Sequence, residues 1–339
     1  MQETFIELKQ RAKALGFADL WVTDASPFAD WERAVGARGS AYSLQADPRA
    51  VLPSARRVVV LAYPYHDEAD VAFPQVGVSA YYLASHRAYN ALPALADWLK
   101  AQGWQAVARP GLPVKPAALR AGAGRYGRNG LLITEAYGGN TALGLLLTDA
   151  ELPLNAPSQM EGDDTPLAPE CQNCSACVRA CPVGALDGTS AVDTARCLRA
   201  HMFGDGPAPA QCRETMGNRF LGCDDCRRIC PCSIRAKKND VPAQRLHLTL
   251  DALLGPDETR REALEQIEEK VGGNYARPNR ALAQAALLAG NSGDARYLPA
   301  LVPLCESDHV PLREHARWAV EKLRAESLHR CGGLPPYNT

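Results

Sequence analysis

No apolar run in this sequence approaches the length of a membrane span. Its most apolar stretches, residues 58–63 and 281–290, fall far short of the ~20 residues that a membrane helix needs. The chain opens Met1-Gln2-Glu3 with no basic segment and no apolar core behind it. A secretory signal is therefore not expected, and a cytoplasmic protein with no membrane partner is. Excess charge is missing too: 37 Lys and Arg stand against 38 Asp and Glu, a net charge of -1. That excludes coating nucleic acid or anionic lipid by bulk charge and leaves only a local basic face for such contacts. Aromatics are 6% of the residues, with 46% hydrophobic and 22% charged. Those are globular proportions, which exclude wholesale disorder, collagen and coiled coil. The 339 residues predict two or three domains at roughly 100–200 residues each.

Phe5, Leu8, Ala12 and Leu15 recur at helical spacing and predict an amphipathic helix over 3–16. Short apolar runs at 18–22, 58–63, 104–108, 131–134 and 141–148 predict strands, and a long helix is expected over 80–102. The mixture implies an α+β (mixed α/β) domain over 1–150. Residues 151–169, with Pro153, Pro157, Pro166 and Pro169 among acidic residues, predict a linker. A cysteine-rich domain is expected over 170–240 and a helical one over 241–330, where two or three antiparallel helices suggest one HEAT-like pair. A turn is expected over 290–294, and a loose tail over 331–339.

Cysteine is what the chain has in abundance: twelve residues, most of them between Cys171 and Cys230. A disulfide framework belongs to short exported chains, so these cysteines point to metal. The run Cys171-x2-Cys174-x2-Cys177-x3-Cys181-Pro182 is the spacing of bacterial two-cluster ferredoxins. There three thiolates hold one 4Fe–4S cluster and the fourth crosses to the other. Zinc sites use two ligand pairs set farther apart, so zinc fits less well. A second run, Cys223-x2-Cys226-x3-Cys230-Pro231, has the same ending and one cysteine fewer. Crossing returns Cys230 to the first cluster, with Cys171, Cys174 and Cys177. The second then has Cys181, Cys223 and Cys226 and needs one more thiolate. Cys197 and Cys212 are both in range, and spacing does not choose between them. Cys232, Cys305 and Cys331 are surplus, Cys305 reading as a packed hydrophobe on a helical face.

Over nearly its whole length the chain resembles the epoxyqueuosine reductases, cobalamin-dependent iron–sulfur enzymes of tRNA modification. The resemblance rests on Ala55-Arg56-Arg57-Val58-Val59-Val60-Leu61-Ala62 with Pro64, on Ala80-Tyr81-Tyr82, and on Arg120-Ala121-Gly122-Ala123-Gly124 followed by Gly127-Arg128-Asn129. It continues through the cysteine block, with Gly217-Asn218-Arg219 ahead of Gly222-Cys223-Asp224, to Gly290-Asn291-Ser292-Gly293-Asp294. It implies that Cys197, after Ala195-Arg196, completes a second cluster of Cys181, Cys197, Cys223 and Cys226. It also implies an N-terminal domain like that of reductive dehalogenases, holding cobalamin against that cluster. The corrin would lie near Gly127, Arg128 and Asn129 and near Ala200, His201 and Met202. A low-potential flavodoxin- or ferredoxin-like electron donor and a tRNA partner are implied as well.

The chain departs from this family in three places. The family's acidic proton donor falls on Ala108, and no Asp or Glu lies between Asp97 and Glu135. A methyl group cannot deliver a proton. The aromatic-Leu-Thr stretch near the corrin reads Ala200-His201-Met202. His201 is either a cobalt ligand or proton donor, or a packed or solvated side chain. His86 and His315 carry weaker signals of the same kind. Arg128 replaces a lysine, and Lys115 stands where arginine is common. The basic run Arg213, Arg219, Arg227, Arg228, Arg235, Lys237 and Lys238 is either a phosphate-binding face or a solvated one that offsets cluster charge.

The leading expectation is a cobalamin-dependent, double-cluster reductase with a rebuilt acid site and a substrate other than queuosine tRNA. One alternative is epoxyqueuosine reductase itself, with His201, Tyr126 or a water giving the proton. Another is a two-cluster electron carrier or corrinoid-reducing partner without a substrate. A zinc-stabilised nucleic-acid binder fits neither the charge nor the spacing.

Overall fold

The computed structural model describes residues 2–32, 44–66, 70–155, 167–237 and 245–331, with side chains as far as 327. Four antiparallel strands, β1 (Asp19–Asp24), β2 (Arg57–Pro64), β3 (Ala106–Ala108) and β4 (Thr141–Thr148), form one sheet in the order β1-β2-β4-β3. Val60 of β2 faces Trp21 on one side and Leu145 on the other. Both faces of β2 are covered, which is why it reads as an unbroken apolar run. Val59, Leu61 and Tyr63 pack with Leu8 of the helix Gln2–Ala14 and Leu92, Leu95 and Leu99 of the helix Ala80–Ala101. Val58 and Val60 point the other way, onto Ala117 and Ala118 of the helix Val114–Arg120. The result is a helix–sheet–helix sandwich in which each strand's alternation selects a layer.

The cysteine block is built from single turns: helices Ala176–Ala180, Leu198–His201, Ala210–Arg213, Asp225–Arg228 and Pro231–Ile234. A short strand, Arg219–Leu221, pairs parallel with Gly77–Val78. The helices Leu250–Leu254, Asp257–Val271, Pro278–Ser292, Leu298–Leu304 and Val310–Cys331 follow. These helices do not have a core to themselves. Leu287, Leu288, Leu312 and Leu323 belong to one cluster with Leu198, Met216 and Phe220 of the cysteine block and with Tyr82 of the long helix.

Three expectations need correction or relocation. The turn expected at Gly290 comes later, because the helix continues to Ser292 and ends on Gly293 in the left-handed region, φ 67°. Gly290 lies inside the helix, where a Cβ would come within 2.9 Å of Ala319 Cα, so it serves close helix packing. Cys331 closes the last helix and is not in the tail; the first breakers, Gly332 and Gly333, lie outside the described residues. So do 156–166 of the expected linker, whereas Asn155 is bound to β1 through the Val22 N–H and carbonyl. Among the described residues no helix is long and apolar enough to cross a membrane.

His315 is 3% exposed at the centre of the shared core. Its Nε2 accepts from the Ala208 N–H at 2.8 Å, and its Nδ1–H donates to the Ala283 carbonyl at 2.8 Å. Burial pushes its pKa down to about 4. The unfolded chain therefore takes up this proton first, near the ordinary value of about 6.5. Stability is expected to be full above that value and to fall by up to about 3 kcal/mol as pH drops towards 4. Denaturant melts at pH 7 and pH 5 check this, and the difference between them should shrink in His315→Gln.

Candidate metal centre

The described cysteines with side chains are all free thiols, and the structure gathers most of them into two sets. In the first, burial raises the thiol pKa of Cys171, and the charges of Cys230 and Cys174 raise it further. Burial also raises Cys177, with Cys171 and Cys230 adding to it. In the second, burial pushes Cys223 up to about 11, with Asp225 and Cys197 contributing. Burial carries Cys226 to about 12, helped by Cys223 and Cys197. The two sets adjoin, because Cys226 also feels Cys177. Crowded, buried thiols of this kind become thiolates only when a cation compensates them. Among the described residues, no three Cys, His, Asp or Glu side chains converge as a single ion needs.

Cys197 shares its surroundings with both Cys223 and Cys226. Cys212 is fully buried in the shared core, and its thiol is turned to the Arg196 carbonyl at 3.8 Å. The Cys181 Sγ accepts from the Ala185 N–H at 3.2 Å. Cys305 donates to the Leu301 carbonyl at 3.6 Å in its own helix, a packed thiol as its helical face suggests.

The loop at 127–129 grips both sets. Arg128 Nε donates to the Cys171 carbonyl at 2.8 Å and Nη2 to the Gln172 carbonyl at 3.2 Å, while Nη1 reaches the Gly188 carbonyl. Asn129, 5% exposed, donates to the Cys226 carbonyl at 3.1 Å and accepts from the Leu131 N–H. Gly127 closes the loop by donating its N–H to the Leu131 carbonyl. Across the site, Ala200 is exposed. The His201 Nε2–H donates to the Ala195 carbonyl at 2.9 Å, tying the turn that presents Cys197. Met202 is buried, and its sulfur accepts from the Gly222 N–H at 3.1 Å. His86 accepts from Asn90 one turn along its own helix.

Three further side chains have shifted acidities. Tyr81 is 39% exposed, but burial still raises its pKa. Burial pushes the Tyr126 hydroxyl up to about 12. Lys115 is exposed, yet burial lowers its pKa against the pull of Cys226; its Nζ donates to the Gly130 carbonyl at 2.6 Å. Sequence reasoning could not place the Lys115 ammonium, because its partner is a backbone carbonyl. Ala108 ends β3, packed at the margin of the core. Its neighbour Arg109, at φ 56°, stacks on the Tyr89 ring at 3.5 Å.

Most of the basic run is engaged within the fold. Arg213 donates to the Ala208 carbonyl, Arg219 pairs with both oxygens of Asp225, and Arg228 pairs with Asp70. Arg227, 3% exposed, meets Asp224 at 3.2 Å and Asn140 at 2.6 Å. Arg235 and Lys237 are exposed, and Lys238 lies outside the described residues.

A family described as 4Fe-4S double cluster binding domain matches residues 170–233. The epoxyqueuosine reductase of Escherichia coli K12 is 30% identical over 311 residues, 85% of this chain and 78% of that one. The chain belongs to the epoxyqueuosine reductase family. The Gloeobacter violaceus member is 32% identical over 260 residues, 70% of this chain and 79% of its own. The match to the Xanthomonas campestris member, 32% over 214 residues, spans 58% of that protein's length. A structure of epoxyqueuosine reductase from Bacillus subtilis superposes with a TM-score of 0.77 at 23% identity, over 99% of this chain and 96% of that one. The fold of this family is therefore the fold of the chain.

Gly222, at φ 99°, stands immediately before Cys223, and a Cβ there would lie 2.5 Å from Ser79 Cβ. Gly222→Ala is expected to cost roughly 1–3 kcal/mol and to loosen the second thiol set. Thermal melts and iron counts after anaerobic reconstitution check this. Gly206→Ala, with nothing within 4 Å, should leave both unchanged.

Proposed function

We propose that the protein is a cobalamin-dependent iron–sulfur reductase. Cys171, Cys174, Cys177 and Cys230 hold one 4Fe–4S cluster, and Cys181, Cys197, Cys223 and Cys226 hold the second. The observation that carries this reading is the pair of adjoining buried thiol sets, with the loop Gly127-Arg128-Asn129 bonded to a member of each. Cobalamin is held near that loop and near the stretch Ala200-His201-Met202, Asn129 and Met202 acting through the peptide groups of Cys226 and Gly222 that they hold. When bound, cobalamin supplies a metal that can be reduced to a low-valent state by single electrons from clusters of negative potential.

The chain's own residues must supply the proton that a reductive cleavage needs. Ala108 cannot, and the His201 Nε2–H is engaged by a carbonyl. Tyr126, with its pKa pushed up to about 12, stays protonated at neutral pH, so it takes the donor role. A low-potential flavodoxin- or ferredoxin-like protein delivers the electrons. The helices Pro278–Ser292 and Val310–Cys331 serve as one HEAT-like pair that buttresses the second cluster from behind. The loss of a carboxylate at 108 points to a substrate other than queuosine tRNA.

A second reading, reduction of epoxyqueuosine in tRNA, is favoured by the family itself. A solved relative holds an epoxyqueuosine-modified tRNA stem loop. For that substrate, of the described part of the basic run, the exposed Arg235 and Lys237 would meet phosphates.

Anaerobic titration of the cluster-reconstituted protein with cob(II)alamin, followed by EPR, tests the proposal. Stoichiometric binding is expected. Two clusters with no corrinoid binding would overturn the reductase reading and leave an electron-transfer protein. Rescue of a queuosine-lacking strain by the expressed protein would establish the second reading.

A further inference from the structure

The cluster assignment leaves one thiol unexplained at the first set. Cys232 lies two residues beyond Cys230. Cys171, Cys230 and Cys232 pack in one small cluster with Leu131, Ile133 and Ala168. The other spare thiols are placed differently: Cys212 and Cys305 are each turned to a backbone carbonyl. Cys232 instead packs beside Cys171 and Cys230, two iron-binding thiols of the proposed set.

Its position is fixed from outside the cysteine block. Gly138, at φ 54°, lies so close to the Cys232 carbonyl that a Cβ there would stand 2.5 Å from it. The Gly139 N–H donates to Ser233 Oγ at 3.1 Å, and Asn140 donates to the Ser233 carbonyl at 2.9 Å. The loop at 138–140 thus presses the turn Pro231–Ile234 against the first set and holds a fifth thiol at its edge.

We propose that Cys232 is a reserve ligand of the first cluster, placed to take the iron that Cys230 holds. The inference rests on the cluster assignment above. In the exchange, the bond between Cys230 sulfur and iron breaks and that thiolate takes up a proton. The Cys232 thiol gives up a proton and forms the new sulfur–iron bond. Four thiolates remain on the cluster and no electron is gained or lost, so no oxidant or reductant is required.

The test compares the full-length protein with Cys230→Ala, Cys232→Ala and the double variant, each reconstituted anaerobically. Iron and sulfide are counted, and EPR spectra are recorded as prepared and after reduction. Wild type and both single variants are expected to hold about eight iron atoms per chain, from two clusters of four. The double variant should hold about four. Cys230→Ala should also show an altered EPR line shape when reduced. Its Cys232 should resist alkylation until the iron is chelated, whereas Cys232 in wild type should react. Circular dichroism and the surviving second cluster report that each variant is folded. The proposal is overturned if Cys230→Ala alone drops to about four iron atoms, or shows a three-iron signal before reduction. Loss of iron in Cys232→Ala would make Cys232 the resident ligand and overturn it as well. Wild type that binds markedly fewer than eight would overturn the cluster assignment itself, and the reserve ligand with it.

Discussion

Peptide carbonyls beside thiolates need hydrogen-bond donors, and here those donors come from the loop at 127–129. Arg128 takes the carbonyls of Cys171 and Gln172, and Asn129, one residue on, takes the carbonyl of Cys226. A single loop therefore holds a member of each thiol set at fixed separation. Were Asn129 lost, the Cys226 carbonyl would lose this donor, at a cost of about 0.5–1.5 kcal/mol. The rest of the site depends on this grip, because the two sets keep their separation only while one loop holds both. Arg227 adds to it, spanning Asp224, Asn140 and the Tyr65 ring.

Electrostatics explains why so many basic residues near the clusters do not form a binding face. Asp224 and Asp225 flank Cys226 on its N-terminal side and add to the negative charge that the thiolates bring. Arg219 and Arg227 answer those carboxylates at close range, partly or wholly out of water. Pairs of this kind chiefly fix geometry, since desolvation offsets much of their attraction.

Much of the fold could be read in the sequence, for physical reasons. The run 58–63 is apolar throughout because both faces of β2 are covered, and the helix over 80–101 repeats its apolar positions against that sheet. The helix Asp257–Val271 escaped notice because charge dominates it and only Ala263, Ile267 and Val271 are buried. Cysteine spacing pointed to iron–sulfur chemistry but could not choose between Cys197 and Cys212. That choice depends on which thiol faces Cys223 and Cys226 across the chain. The roles of Arg128 and Asn129 were hidden for a related reason: their partners are backbone carbonyls, which every residue carries.

The shared core has a consequence for how the molecule responds to oxygen. Phe220 and Leu221 sit in that core and lead through Gly222 directly into Cys223. The carboxy-terminal helices pack on the same side chains. Metal loading and folding are linked wherever ligands anchor a core. Oxidative loss of iron from the second set would therefore be transmitted as a loosening of distant helices that carry no ligand. The C-terminal bundle is in effect a strain gauge for the state of the metal, and a protease acting on its loops would discriminate intact enzyme from damaged.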